Sequence, residues 1–221
     1  RSSQPLLQLP LFLSPMHKAG FVNIVGNPNV GKSTLMNLLM GERISIATFK
    51  AQTTRHRIMG IINSDDAQIV FSETPGVLKP NYKLQESMLA FSEGALQDAD
   101  ILLYVTDVVE KPDKNADFIT KVQRMKIPIF VLINKIDLSN HEGVMKLIEA
   151  WHEVLPTAEI FPISARANFN VDAFLARIKE LLPDSPPYVD KDQWTDKPAR
   201  FFVNEIIREK ILLYYDKEIP Y

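Results

Sequence analysis

The sequence predicts an α/β fold built on a six-stranded, mostly parallel sheet with helices on both faces. Three observations predict it. From Phe21 onward, apolar runs of strand length alternate with longer stretches of helical period. Only one pair of neighbouring strand runs lies too close together for a crossover helix. At 221 residues and 46% hydrophobic content, the chain can bury the core of one ordinary α/β domain and carry a fragment of another.

Residues 1–15 hold Leu and Pro without strand or helix periodicity and are expected to form an irregular extension, with Met16 as the natural start. An interfacial anchor on Leu11, Phe12 and Leu13 is the weaker reading, because few cations accompany them. Strands are expected at Phe21–Val25, Arg57–Ile62, Ala67–Phe71, Ile101–Val105, Ile129–Ile133 and Glu159–Ile163. Asn63 to Asp66 separates the second and third by four residues, so these two should pair antiparallel at one edge. Helices are expected at Lys32–Met40, Lys83–Gln97, Asp113–Arg124, Glu142–Leu155 and Val171–Leu182. In the fourth, Val144, Leu147, Ile148, Trp151, Val154 and Leu155 recur at spacings of three and four, which makes one stripe a core face. Pro183, Pro186 and Pro187 stop the pattern, and 185–199 reads as a polar, irregular linker. From Phe201 a new apolar period begins and runs to the last residue, Tyr221, as the start of a second domain.

Composition excludes several classes. A formal net charge of −2 gives no electrostatic footprint for nucleic acid. The absence of cysteine removes disulfides and thiolate metal sites and fits a reducing compartment. No apolar run approaches the roughly 18 residues needed to span a bilayer.

Gly26-Asn27-Pro28-Asn29-Val30-Gly31-Lys32-Ser33 satisfies G-x-x-x-x-G-K-[ST], placed after a strand and opening a helix, with Thr34 next. Such a loop wraps backbone amides around phosphates at a helix start. Lys32 is expected to bridge the β- and γ-phosphates and the Ser33 hydroxyl to ligate Mg2+. A glycine-rich turn with a chance lysine does not account for the strand before and the helix after.

Asn134-Lys135-Ile136-Asp137 follows the fifth strand, at the end where open α/β sheets place ligands. Asp137 can accept from the ring N–H and the exocyclic amine of guanine; adenine offers neither donor on that edge. An ATP-dependent reading would leave this carboxylate unpaired at a cost on the order of a few kcal/mol. Asn134 is expected to brace the base and the phosphate loop, and the Lys135 stem to cover the ring. Ser164-Ala165-Arg166 after the sixth strand is expected to offer the Ala165 amide to the guanine carbonyl; by itself it would pass for a helix-entry turn.

Ser72-Glu73-Thr74-Pro75-Gly76 ends the third strand, where a nucleotidase needs a carboxylate near the metal and a glycine amide near the γ-phosphate. Glu73 is that carboxylate, one methylene longer than the aspartate most such proteins carry. Upstream, a threonine of Ala51-Gln52-Thr53-Thr54-Arg55 can reach Mg2+ and the γ-phosphate only when GTP is present, which makes the loop a candidate switch. Thr54 is the first choice and Thr53 the second; both also suit a strand entry. Val77 stands where Ras-like proteins orient water with glutamine, and it has no polar atom to offer.

The ordered set GNPNVGKS, AQTTRHR, ETPG, NKID and SAR, with FFVNEIIREKILLYYDKEIPY near the end, resembles the Era GTPases, from about His17 to Tyr221. The resemblance implies a P-loop, Ras-like G domain over 16–184 followed by the opening of an α+β KH domain over 200–221. It implies a GTP/GDP switch that binds small-subunit rRNA and the assembling 30S subunit, cytoplasmic and monomeric, with peripheral inner-membrane contact in some members. It also implies a K+ ion near the phosphates, with Asn29 at the contacting position and Lys32 and Gly76 among the catalytic groups. The sequence stops before any G-x-x-G clamp loop. A nucleotide-binding module with impaired hydrolysis and no RNA binding is therefore the alternative expectation.

Overall fold

Strand-length runs that can be covered on both faces become strands, and the longer amphipathic runs become the helices that cover them. The computed structural model describes residues 17–47, 54–76, 83–110 and 116–215. The strands are β1 (Lys18–Gly26), β2 (Ile58–Asn63), β3 (Ala67–Glu73), β4 (Ile101–Asp107), β5 (Ile129–Asn134) and β6 (Glu159–Pro162). The helices are α1 (Lys32–Met40), α2 (Lys83–Gly94), α3 (Ala116–Gln123), α4 (His141–Val154), α5 (Val171–Leu181) and α6 (Ala199–Tyr214). One sheet results, in the order β2-β3-β1-β4-β5-β6. Only the β2–β3 pair is antiparallel.

Parallel pairing brings the carboxyl ends of five strands to one edge of the sheet. Ile24 pairs with Glu73, Gly26 with Val105, and Asp107 with Asn134. The loops that leave these ends are therefore neighbours, whatever their separation in sequence.

Alternation along β4 and β5 fills two cores. Leu103, Val105, Phe130 and Leu132 face α1 and α5, where they meet Leu35, Met36, Phe174 and Ile178. Leu102, Tyr104, Val131 and Ile133 face the other side, packed with Phe118 of α3 and Trp151 of α4. Each large buried side chain contributes roughly 1.5–3 kcal/mol of hydrophobic burial. The α4 stripe packs as its spacing predicts: Trp151 and Leu155 are buried, and Leu147, Ile148 and Val154 rest on the same core. Asn140 caps α4 by accepting from the Gly143 amide at 2.8 Å.

Several boundaries differ from expectation: β3 and β4 each run two residues further, to Glu73 and Asp107. β1 starts at Lys18 rather than Phe21, because Lys18, Ala19 and Gly20 pair with Ala67, Gln68 and Ile69. Its first residues lack the apolar signal because Gly20 is pressed against Leu182, where a Cβ would come within 2.7 Å. The helix expected over Lys83–Gln97 ends at Gly94 and closes with single turns at Leu96 and Gln97. The 185–199 stretch is irregular as expected, yet it is bound along the sheet edge. Ile61 donates to Trp194 O at 2.9 Å, Thr195 Oγ1 to Met59 O at 2.8 Å, and Gln68 Nε2 to Val189 O at 2.9 Å.

α6 then docks against the first core through Phe201 and Phe202, with Leu212 buried. Val203, Ile206, Ile207, Leu213 and Tyr214 on the same helix are exposed. No helix among the described residues is long and apolar enough to cross a membrane. The proposed extension at 1–15 lies outside the described residues.

Candidate functional site

Three backbone conformations shape the loop between β1 and α1. Gly26 has φ +145°, and a Cβ there would stand 2.1 Å from the Val105 carbonyl oxygen. Gly31 has φ +100°, with Asn134 Nδ2 only 2.2 Å from where its Cβ would be. Asn29, exposed between them, is also left-handed at φ 66°. The loop thus folds back over the end of β1 and delivers the start of α1, whose first turn has no side-chain cap and no acidic residue. Its amides and the positive end of its dipole remain available to an anion.

Lys32 is buried and donates to Asn27 O at 2.7 Å and Gly26 O at 3.1 Å, so its ammonium closes the loop on itself. Burial lowers its pKa to about 8, against the opposing charges of Glu73 and Glu110. Val30 is buried in the first core, Pro28 and Ser33 are half-buried, and Thr34 is exposed. Gly76 lies against the loop from the β3 side, where a Cβ would come within 2.6 Å of Pro28 N.

Ser33, Thr54 and Glu73 come from three segments and converge. Ser33 Oγ donates to Glu73 Oε1 at 2.6 Å, Thr54 Oγ1 to the same oxygen at 3.2 Å, and the two hydroxyls are 3.1 Å apart. Glu73 is fully buried, and its Oε2 has no hydrogen-bond partner among the described residues. Burial raises the carboxyl's pKa, against the Ser33 hydrogen bond, the neighbouring Ser45 hydroxyl, Lys32 and Thr54. Ser45 Oγ stands close to the carboxyl but outside hydrogen-bonding geometry, and it too is unpartnered. Two hydroxyls and one carboxylate with an open lone pair form a hard-oxygen set that suits Mg2+, which binds few protein groups and keeps the rest of its shell for phosphate and water. Thr74 faces elsewhere, its hydroxyl donating to Ile24 O at 3.1 Å. The Pro75 carbonyl accepts from Ser92 Oγ of α2 at 2.8 Å. Thr53 and Val77 lie outside the described residues.

Asn134 ties three loops together. Its Nδ2 donates to Val30 O at 2.9 Å and its Oδ1 accepts from the Ala165 amide at 2.9 Å, both buried. Lys135, left-handed at φ 62°, donates to Asn29 O at 2.6 Å. Asp137 is exposed on a short 3-10 turn over Ile136–Leu138, where its Oδ1 accepts from Ser164 Oγ at 2.6 Å. Arg166 is exposed beside it. Direct hydrogen bonds thus join Lys32 to Gly26 and Asn27, Asn134 to Val30 and Ala165, Lys135 to Asn29, and Asp137 to Ser164 across the phosphate and base motifs.

A turn after β4 belongs to the same edge and was not anticipated from sequence. Asp107 Oδ1 accepts from the amides of Val109 and Glu110, both at 3.0 Å, and its Oδ2 accepts from Lys135 Nζ at 2.7 Å. Glu110, buried, accepts from Asn27 Nδ2 and from Thr106 Oγ1. The available signal was positional: two acids just past the end of an apolar strand, at the edge that carries every other loop of the site.

Comparison with known proteins places these loops in context. Residues 21–135 match the family model described as 50S ribosome-binding GTPase, and 89–184 match the GTP-binding domain of elongation factor Tu. The GTPase Era of Staphylococcus haemolyticus is 43% identical over 206 residues, which is 93% of this chain and 69% of that protein. A crystal structure of Era with MgGDPNP and nucleotides 1506–1542 of 16S ribosomal RNA superposes with a TM-score of 0.86 at 38% identity, over 92% of this chain and 70% of that one. An Aquifex aeolicus Era variant bound to GDP·AlF4− gives the same TM-score, identity and coverage.

Proposed function

The chain belongs to the Era family of GTPases, and from that premise we propose that the loops at the carboxyl edge of its sheet form one guanine-nucleotide site driving a switch in small-subunit assembly. The observation that carries the reading is the meeting of Ser33, Thr54 and Glu73 beside a phosphate loop braced by Asn134.

A triphosphate entering the loop meets the uncapped amides of α1 and the Lys32 ammonium that the carbonyls of Gly26 and Asn27 hold in place. Its negative charge holds the proton on Lys32, whose pKa burial lowers to about 8. Ser33, Thr54 and Glu73 would hold Mg2+, which supplies positive charge to the β- and γ-phosphate oxygens when bound. The Gly76 amide faces the γ-phosphate side, and Asp137 reads the two donors of guanine while Ala165 offers its amide to the ring carbonyl. Gly26 to Ser33 positions the phosphates; Thr34, Thr74, Pro75 and Arg166 frame the site. No side chain here acts as a general base: turnover rests on positioned charge. Val77 offers no polar atom to orient water, and Asn29 would help hold a K+ ion that adds positive charge beside the phosphates, so hydrolysis is expected to be slow and to rise with K+.

Residues 16–184 constitute the nucleotide unit, 185–199 a joining strap and 200–221 the opening of a KH-like RNA-binding unit. The same reading takes small-subunit rRNA and the assembling 30S subunit as partners of a monomeric, cytoplasmic chain, with peripheral inner-membrane contact as in some members of the family; the RNA part is supported by the relative solved with a 16S fragment.

Two measurements test the reading. Phosphate release from GTP with Mg2+ and K+ is expected to require Lys32, and turnover by Lys32→Ala within tenfold of wild type refutes the site; Asn29→Ala is expected to lose the K+ response. Fluorescence anisotropy with a labelled 3′-terminal small-subunit rRNA fragment is expected to saturate. Failure to compete with unlabelled fragment removes the RNA half.

A further inference from the structure

We propose that Glu110 is a positioning residue for GTP, holding Asn27 and through it the peptide that orients Lys32, with Asp107 bracing the same loop through Lys135. The proposal rests on the reading of Gly26–Ser33 as the phosphate cradle. Thr106 and Glu110 are both buried, and Thr106 Oγ1 donates to Glu110 Oε2 at 3.1 Å, fixing the carboxylate from the strand side. The other oxygen, Oε1, accepts from Asn27 Nδ2, and Asn27 is itself buried. The carbonyl of that residue receives Lys32 Nζ at 2.7 Å. A contact chain therefore runs from a rigid core strand to the phosphate-binding ammonium.

Asp107 makes the turn that brings Glu110 into place. Its Oδ1 takes the amides of Val109 and Glu110, and its Oδ2 holds Lys135, which in turn grips Asn29 O at 2.6 Å. One acidic turn thus grips the loop at residues 27 and 29, two peptides apart. Both acids are buried, and a buried carboxylate is costly to keep unless its hydrogen bonds are used. The loop whose flexibility would cost nucleotide affinity is the one these bonds restrain.

The test is a double-mutant cycle on the full chain with a fluorescent GDP as probe, reading its dissociation rate and single-turnover GTP hydrolysis. Glu110→Ala is expected to accelerate GDP release about tenfold, the scale of one charge-assisted hydrogen bond. Glu110→Gln keeps an oxygen for Asn27 and an amide for Thr106 Oγ1 and is expected within about twofold of wild type. Asn27→Ala should match Glu110→Ala, and the double variant should add less than about twofold to either. Glu110→Asp, which keeps the charge but draws it back by one methylene, should release GDP as fast as Glu110→Ala and serves if the alanine variant does not fold. Wild-type release from Glu110→Asp, or full additivity with Asn27→Ala, overturns the proposal. Loss of binding in Lys32→Ala alongside those results leaves the cradle standing, whereas unchanged binding in Lys32→Ala would fail the cradle itself.

Discussion

Glu73 sits in conflict with its surroundings: a carboxyl buried at 0% exposure with one oxygen unsatisfied among the described residues. Its pKa in the fold is raised above the ordinary 4.5 by burial. Below 4.5 the group is protonated in folded and unfolded chain alike. As pH rises past that value the unfolded chain ionises first, so the folded state loses stability until the pH passes the folded value. Without Mg2+ and nucleotide, Glu73→Gln should therefore match wild type near about pH 4 and melt higher than wild type near about pH 7.5, by about 2–4 °C for each kcal/mol relieved. Adding Mg2+ and GDP should reverse that order, because the glutamine cannot neutralise the ion. A Tm difference that ignores pH contradicts the account. Gly31 makes the opposite case, a residue with no alternative: at φ +100° with Asn134 Nδ2 2.2 Å from the missing Cβ, and Asn134 pinned by Val30 and Ala165, nothing can yield. Gly31→Ala should cost about 1–3 kcal/mol of stability by thermal melt and abolish measurable GDP binding. Both positions were legible in the sequence, Gly31 because its motif fixes residue type and spacing, Glu73 because its place at the end of the third strand calls for a carboxylate even where aspartate is the usual one. Glu110 was not, since an acid three residues beyond a strand has no spacing rule, and only the folded turn shows that Asn27 is its partner.

Elements were legible where periodicity and burial agree. β4 and β5 are continuous apolar runs because both faces are covered, and α4 shows its stripe because one face is covered. The edge was not legible. β2 exposes an unpaired ladder on its outer side, and the stretch before α6 supplies partners through Trp194 O, Thr195 Oγ1 and the Asp196 carboxylate, which accepts from the Met59 amide at 3.1 Å. Isolated bonds from an irregular, polar segment leave no period to read. Trp194 also stacks on Phe202 of α6 at 5.7 Å between ring centroids, so strap and helix are coupled. Phe202→Ala should lower stability by about 1–3 kcal/mol, less than a full core truncation because the ring is only half-buried. It should also speed hydrogen exchange of the Ile61 amide, which donates to Trp194 O, more than that of the Ile69 amide in the sheet interior. Equal changes at the two amides would show that the strap is held independently of α6.

At the scale of the whole molecule, the parallel order turns distant motifs into one site. Gly26, Glu73, Asp107, Asn134 and Ser164 stand at or just beyond successive strand ends, so each strand that leaves the sheet removes part of the ligand's contacts. This much followed from the sequence, because strand-then-motif occurs at four places and parallel crossovers allow only one edge for them. That Asn134 braces the phosphate loop was expected, and the Val30 carbonyl is the group it holds; what sequence could not supply were its bond to the Ala165 amide and the bonds of Lys135 to Asn29 and Asp107 and of Asp137 to Ser164. Because the site exists only in the folded sheet, nucleotide binding must appear as global stability. GDP with Mg2+ at about one hundred times its Kd should stabilise the chain by about 2.7 kcal/mol. At about 2–4 °C per kcal/mol, the Tm should rise by roughly 5–11 °C. ADP at the same concentration should leave the Tm within about 1 °C, because Asp137 finds no paired donors on adenine. Asp137→Ala should erase most of the GDP shift while the nucleotide-free Tm holds, since the carboxylate is exposed and bonded only to Ser164 among the described residues. An equal shift from ADP, or a GDP shift undiminished in Asp137→Ala, would mean that the base is held by something other than this carboxylate.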